Sequence, residues 1–252
     1  MSFSKQRFRV TPDKMDKVSI LDVDIDQISR KEIDALLAEK LNGDRLCQIA
    51  TVNPEFLVEA KRNKSFAQAL ERADLKICDG IGISLMSRIF LNKKIERIAG
   101  VEVAERVCKM CSETGKSIFF LGGFGVVGKV EQEMCSRYPN LKVAGAIDGT
   151  VTTFDAVAET NPDAILVAFG APNQEVWIQE FGRRIPSLRI AVGVGGTFDF
   201  WTGKALRAPE VLQKIGLEWL WRLILEPHKR GKRIFNAVCV FPYLFVKSLL
   251  KK

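Results

Sequence analysis

Among 252 residues there is a single histidine, His228. Histidine is the side chain that most readily exchanges protons near neutral pH, and it is the commonest metal ligand. With one copy, set in a run of charged residues near the end of the chain, no catalytic histidine is on offer, and His228 reads as part of that charged run. Cysteine lacks a useful pattern. Cys47, Cys78, Cys108, Cys111, Cys135 and Cys239 are scattered, which fits a reduced cytosolic protein better than a disulfide scaffold. Only Cys108 and Cys111 form a C-x-x-C. They lie in a helix-like run with no second pair to complete a zinc site, so two thiols on one helix face is the plainer reading. No apolar run is long enough to span a bilayer. The longest, 237–250, contains Pro242 and Lys247. The stretch 1–14, MSFSKQRFRVTPDK, has no apolar region of a secretory leader. The expected location is therefore cytoplasmic. No internal repeat or low-complexity tract stands out.

What is present is unevenly placed. Residues 1–200 carry 27 Lys and Arg against 27 Asp and Glu, whereas residues 201–252 carry 11 against 3. The whole net charge of +8 thus resides in the last 52 residues, together with three of the four tryptophans. Within it, EWLWRLILEPHKRGKR (218–233) mixes large apolar side chains with cations. Such a tail suits an anionic partner, and its greasiness favours a membrane surface over nucleic acid.

Upstream, β-branched runs alternate with amphipathic ones. Strands are expected at 18–23, 47–52, 75–78, 117–122, 141–147, 164–170 and 189–195, with helices at 27–41, 54–72, 80–91, 101–114, 125–138, 152–160 and 172–184. Two further helical stretches are expected at 209–226 and 230–250. This order predicts an α/β fold: a mainly parallel, Rossmann-like sheet with helices on both faces, followed by a C-terminal helical membrane-binding appendage. The division falls at a core over 1–203 and an appendage over 204–252.

Ligands of such sheets bind beyond the carboxyl ends of the strands. The junctions there read TVNPE (51–55), CDGIGI (78–83), LGGFG (121–125), AIDG (146–149), AFGAPNQE (168–175) and VGGTFDFWTG (194–203). Singly each is a turn or cap. Together they describe a site for a polar ligand that needs close backbone approach. Asp79, between a strand and two glycines, is the carboxylate best placed for chemistry, although a helix N-cap would occupy the same position. GFGVVG (123–128) has the G-x-G-x-x-G form, with Asp148 at the end of the next strand, so an NAD-dependent oxidoreductase is an alternative. DVDID (22–26) holds two D-x-D patterns, which bind a divalent ion in some glycosyltransferases. The alternation of Leu21, Val23 and Ile25 favours a strand with one solvated face. A non-enzymatic membrane adaptor would explain the tail but not the six junctions.

Seven segments carry a resemblance to a known family: TVNPEFLVEA, ADLKICDGIGI, ERIAGVEV, FFLGG, GAPNQE, GVGGTFDFWTGKALRAPE and GLEWLWRLILEP, spanning Thr51 to Pro227. In this order they resemble the WecG/TagA/CpsF family of bacterial glycosyltransferases. The resemblance implies inverting, metal-independent transfer of an N-acetylmannosamine-type sugar from a UDP-sugar donor to an undecaprenyl-diphosphate-linked N-acetylglucosamine acceptor, serving teichoic acid, common-antigen or capsule-like polymers. It implies no cofactor and no nucleic-acid partner, and a peripheral place on the inner face of the cell membrane. By position it makes Asp79 the general base and puts Thr51, Asn53, Arg97 and Gln174 around it. Gly122, Gly123 and the loop holding Gly195, Gly196, Phe198 and Asp199 would approach nucleotide or sugar. Arg222, Arg230 and Arg233 would complete the site from the tail. The chemistry agrees. A hydroxyl attacking an anomeric carbon needs one carboxylate base, and a departing diphosphate needs positive charge, which arginine supplies as a fixed fork of donors.

Overall fold

The computed structural model describes residues 15–149 and 153–250. The chain opens on a hairpin of β1 (Lys17–Ile20) and β2 (Val23–Asp26), antiparallel with Ile20 opposite Val23. It continues through α1 (Arg30–Leu41), β3 (Cys47–Val52), α2 (Pro54–Ala60), α3 (Lys64–Glu71), β4 (Leu75–Cys78), α4 (Ile81–Leu91) and α5 (Gly100–Thr114). Then come β5 (Ser117–Gly122), α6 (Val127–Arg137), β6 (Lys142–Ile147), α7 (Phe154–Ala158), β7 (Ala164–Ala168), α8 (Asn173–Phe181), β8 (Ile190–Gly193) and α9 (Thr197–Trp201). The tail forms α10 (Glu210–Lys214), α11 (Glu218–Leu225), α12 (Pro227–Phe235), a π-helical turn (Asn236–Val240) and α13 (Phe241–Leu249).

The main sheet has six parallel strands in the order β4-β3-β8-β7-β5-β6. Its four inner strands are buried almost throughout and mostly apolar, Gln48 and Thr51 of β3 being the buried polar exceptions, because helices cover both faces. On one face α1, α5, α6 and α9 bury residues such as Leu37, Val107, Val130 and Phe198 against Ile49, Phe120 and Val192. On the other face α8 buries Trp177 and Ile178 against Phe119, Val167 and Ala191, while α2, α3 and the hairpin close over Ala50, Val52 and Cys78. The helix after β5 and the helix after β7 therefore lie on opposite faces. Their parting leaves a crevice at the carboxyl ends of these neighbouring strands, the place where such sheets bind ligands.

Several expected elements differ from the observed ones, each for a local reason. The strand expected at 18–23 is two strands joined by a tight turn. Leu21 and Asp22 have φ of 50° and 66°, as a two-residue hairpin turn demands of both central positions, but Leu-Asp carries no glycine or asparagine signal. The helix expected at 54–72 breaks because Asn63 caps a new one, its side chain accepting from the Phe66 N–H at 3.1 Å. The helix expected at 209–226 breaks at Gly216, φ 77°. The last helix begins at Pro227 rather than 230, and it widens to a π-turn before Pro242, which has no N–H to give the preceding turn. Residues 150–152, at the start of the helix expected at 152–160, and the leader reading of 1–14 lie outside the described residues.

The end of the tail belongs to the packed interior. Phe241 and Phe245 are fully buried beside Val52, Leu57 and Cys78. No described helix is long and apolar enough to cross a membrane.

Candidate active site

Asp79 sits where β3, β4 and α5 meet. Its own N–H donates to the Val52 carbonyl at 2.8 Å, which ties the two strand ends together. Gly80 then passes so close to Pro54 that a Cβ would lie 2.4 Å from the proline ring, so only glycine fits there. Gly100 opens α5 directly behind the carboxylate. A Cβ on Gly100 would meet Asp79 Oδ2 at 3.3 Å and Thr51 Oγ1 at 3.1 Å. The bare backbone brings the Gly100 N–H toward Asp79, where it favours the charged carboxylate, at the positive end of a 15-residue helix. Enclosure outweighs that help. Desolvation raises the Asp79 carboxyl to about 7, against the lowering pull of Arg97 and the Gly100 N–H. A carboxyl poised there is matched to taking a proton near neutral pH. Thr51 donates to the Gly193 carbonyl at 3.3 Å, and Asn53 caps α2 by accepting from the Phe56 N–H at 3.1 Å.

Gln174, at the start of α8, is buried and fully engaged. Its carbonyl oxygen accepts from the N–H groups of Gly170 at 3.0 Å and Gly195 at 2.9 Å, clasping the turn after β7 to the turn after β8. Its amide donates to Glu175 Oε1 at 2.7 Å. Glu175 lies behind Gly193, where a Cβ would be 2.4 Å from the same oxygen. Burial raises its carboxyl to about 8, opposed by the Gln174 bond. On the β5 side, Gly122, Gly123 and Gly125 have φ of 92°, 103° and 86°. Gly122 packs against Ala168 and Phe169, and Gly123 against Phe198. The left-handed glycines thus bring bare backbone to the crevice.

The tail reaches this edge at two points. Arg97 donates to the Gln213 carbonyl at 3.0 Å and faces Glu218 at 3.7 Å, which fixes the α10–α11 corner beside Asp79. Arg222, on α11, lies over the Phe200 ring at 4.4 Å. One of its guanidinium nitrogens would be 3.0 Å from a Cβ on Gly196, and this buried nitrogen has no hydrogen-bond partner. Burial, then the neighbouring Arg230, lowers its pKa to about 10. Arg230 pairs with Glu226 at 2.5 Å, and Arg233 with Glu55 at 2.7 Å, which links α12 to α2.

Expected site residues thus divide. Asp79, Thr51 and Arg97 converge on one corner. Gly195, Gly196 and Arg222 meet beside it, and Asp199 faces Lys204 at 3.6 Å. Phe198 is core: 1% exposed, edge-on to Phe120 and stacked on Trp201. It supports Gly123 from behind. Glu175, Gly100, Glu218 and Phe200 were not singled out by sequence reasoning. Each was visible only as a neighbour of a noticed residue, and nothing in the pattern marks a glutamate in the first turn of a helix, next to Gln174, as buried.

Competing motifs find other roles. Cys108 and Cys111 are buried in the α5 core, and His228 is exposed on α12. Asp22 pairs with Lys61, Asp24 is exposed, and Asp26 accepts from the Lys76 N–H at 2.7 Å. In dinucleotide-binding folds the third glycine of G-x-G-x-x-G packs the helix onto the strand, but Gly128 has nothing within 4 Å of its Cβ position. The third glycine of the motif therefore does not play that packing part here.

Comparison with known proteins points the same way as the corner around Asp79. The N-acetylglucosaminyldiphosphoundecaprenol N-acetyl-beta-D-mannosaminyltransferase of Bacillus subtilis (strain 168) is 36% identical over 193 residues, 75% of each chain. The enzyme of the same name from Bacillus spizizenii is 33% identical over 193 residues, 75% of this chain and 74% of that one. Its namesake from Staphylococcus aureus (strain MRSA252) is 28% identical over 244 residues, 93% of this chain and 94% of that one. The sequence model of the Glycosyl transferase WecG/TagA/CpsF family matches residues 18–252, so hairpin, sheet edge and tail are covered together. With glycine-bared strand ends, a carboxylate on a helix N-terminus and an arginine held over them, the chain belongs to the WecG/TagA/CpsF family of glycosyl transferases.

Proposed function

We propose that this glycosyltransferase moves an N-acetylmannosamine-type sugar from a UDP-linked donor to the N-acetylglucosamine of an undecaprenyl-diphosphate-linked acceptor, with inversion and without a bound metal, for a cell-surface polymer. The observation that carries the reading is the pairing of two groups on one edge. Asp79 is a carboxyl raised to about 7, and Arg222 offers a buried donor with no partner beside Gly196. In this reaction the acceptor hydroxyl gives its proton to Asp79 as its oxygen attacks the anomeric carbon. The bond from that carbon to the UDP oxygen breaks, and UDP leaves with the electron pair. An in-line displacement of this kind needs one base and no covalent intermediate. Thr51 and Arg97 hold the corner around the carboxylate. Asn53, Gly122, Gly123, Gly195, Gly196 and Asp199 present backbone and short polar groups to donor and acceptor. Gln174 acts by fixing the turns that carry Gly170 and Gly195. Arg222, Arg230 and Arg233 meet the diphosphate charge in place of a metal.

Residues 204–252 form the appendage of this proposal: they dock on the cytoplasmic face of the membrane and supply those arginines. The names of the relatives, which state transfer of an N-acetyl-β-D-mannosaminyl group to N-acetylglucosaminyldiphosphoundecaprenol, support this choice of sugar and acceptor. The test is direct. Purified protein, UDP-N-acetylmannosamine and a short-chain lipid-diphosphate N-acetylglucosamine, in excess EDTA, should give a β-linked disaccharide and UDP. Titration should show binding of UDP and none of NAD. Absence of product with this donor, or product only on adding Mg²⁺ or Mn²⁺, overturns the corresponding part.

A further inference from the structure

Helix α4 leaves an unusual amount of apolar surface uncovered. It follows Asp79 directly in sequence and buries Ile83 and Ser87 inward. Ile81, Leu85 and Ile89, spaced four apart and so on one stripe, are 37%, 52% and 61% exposed, with Phe90 at 48% beside them. Outside α4 and the tail, the only other large hydrophobic side chain exposed among the described residues is Phe124. Scattered exposed apolar residues are ordinary, but a contiguous set marks a contact surface.

Two observations say what covers it. The first is continuity with the tail. Gly216, at the α10–α11 corner, packs on Ile81 so closely that a Cβ would lie 2.6 Å from it. At the other end Phe90 meets Phe245 of α13 edge-on, ring centres 5.9 Å apart. The α4 ridge is therefore flanked by helices with exposed side chains of the same kind, Ile215 and Tyr243 among them. The second is charge. From Gly80 to Ile95 the sequence has Arg88, Lys93 and Lys94 and no acidic residue, and all three cations are exposed. Apolar side chains rimmed by cations fit the headgroup boundary of an anionic bilayer, where the cations meet lipid phosphate and the apolar groups enter beneath.

We infer that α4, an element of the α/β core, is a second membrane-docking helix that inserts its Ile81–Leu85–Ile89 ridge beside the tail. The inference extends the proposed peripheral docking of the tail and rests on it for orientation. It adds that the carboxylate corner is held at the headgroup plane by the core itself, because the ridge begins two residues after Asp79.

The test uses the full chain and vesicles of mixed phosphatidylglycerol and phosphatidylcholine, with pure phosphatidylcholine for comparison. Leu85→Glu with Ile89→Glu should weaken partitioning to mixed vesicles by roughly tenfold or more, since two apolar contacts are lost and two anions are brought to an anionic surface. The melting temperature should hold. As a second measurement, in a Cys135→Ser, Cys239→Ser background, an environment-sensitive dye on Leu85→Cys should shift to the blue with mixed vesicles. The same dye on Glu113→Cys, at an exposed site of α5, should not. A parallel Ile224→Glu, Leu225→Glu variant separates the two ideas. If it loses binding while the α4 variant partitions like wild type, the tail reading stands and this inference falls. If wild type itself ignores mixed vesicles, both fall. If the α4 variant only converts a dimer to a monomer in vesicle-free solution, the ridge is covered by a second copy and the inference is wrong.

Discussion

The carboxyl edge of the sheet and the tail that lies against it solve opposite problems. The edge is nearly closed and electrically quiet. Its carboxyls Asp79 and Glu175 are pushed toward the neutral form by burial, and its glycines and Gln174 spend their hydrogen bonds on one another. The tail is open and cationic, with apolar side chains facing solvent on α10 to α13. Yet the two are not independent. Phe241 and Phe245 fill core space beside β3 and β4, and the Arg97 contacts with Gln213 and Glu218 hold the α10–α11 corner to the edge. In the proposed reaction a low-dielectric edge would set the proton affinity of Asp79 as the base. It cannot also hold several uncompensated cations, because burying them unpaired is costly. Placing the arginines on a separate helix pair lets charge approach from the side on which the diphosphate would arrive.

The largest expected effect breaks the edge alone. Asp79→Asn keeps shape and the Gly100 contact but removes the basic oxygen. Turnover should fall by roughly 10²–10⁴-fold, with UDP affinity and melting temperature nearly unchanged. In the wild type, kcat/KM should rise with pH through about 7 as the Asp79 carboxyl ionises, and the variant should lack that limb. Near-normal turnover of Asp79→Asn would take the base role from this residue.

A somewhat smaller effect should come from the tail. Arg222→Ala removes the unpartnered donor over Gly196 and the stack on Phe200. Loss of one such donor from a developing anion is worth about 10²-fold in kcat. The measurement uses a short, water-soluble acceptor, so that membrane docking plays no part. If Arg222→Ala works at full rate there, Arg222 does not meet the departing diphosphate; if Arg230→Ala and Arg233→Ala do so as well, the tail is an anchor only, and the division of labour between edge and tail is wrong.

Much of this contrast was legible in the sequence, because its causes are local. Strand–helix alternation fixed the sheet, and the charge partition at residue 200 marked the tail. Asp79 and the glycines announced themselves by following strands. The rest depended on tertiary contacts that no spacing encodes. Leu-Asp gives no hint of a hairpin turn, yet Leu21 and Asp22 make one. Phe241 and Phe245 look like any greasy tail residues until packed against Val52 and Cys78. Phe198 sat in a block rich in polar and glycine residues, but its ring points into the core between Phe120 and Trp201. Gln174 could be picked out by position, whereas its job of bonding two turns at once could not.

The smallest effect sharpens the edge side of the comparison and is read from stability. Glu175 has no role in the proposed proton transfer, yet it is 1% exposed and its carboxyl is raised from 4.5 to about 8 by burial. The folded state therefore keeps a proton that the unfolded chain releases near 4.5, so more protons are bound folded than unfolded across the interval from about 4.5 to about 8. Stability is then greatest below the unfolded value and declines as pH rises through the folded one. One proton corresponds to a slope of at most about 1.4 kcal/mol per pH unit, and Asp79, raised to about 7, adds a term of the same sign. Glu175→Gln keeps the volume and an acceptor for the Gln174 amide while removing the titration. Melting temperatures measured from pH 5 to pH 9 should fall less steeply for this variant than for wild type, by a few degrees over the range for a chain of this size. The gap should close at the acid end, where the wild-type carboxyl is neutral as well. Parallel curves would mean that Glu175 is charged in the folded protein, and the edge would then be less dry than its packing implies.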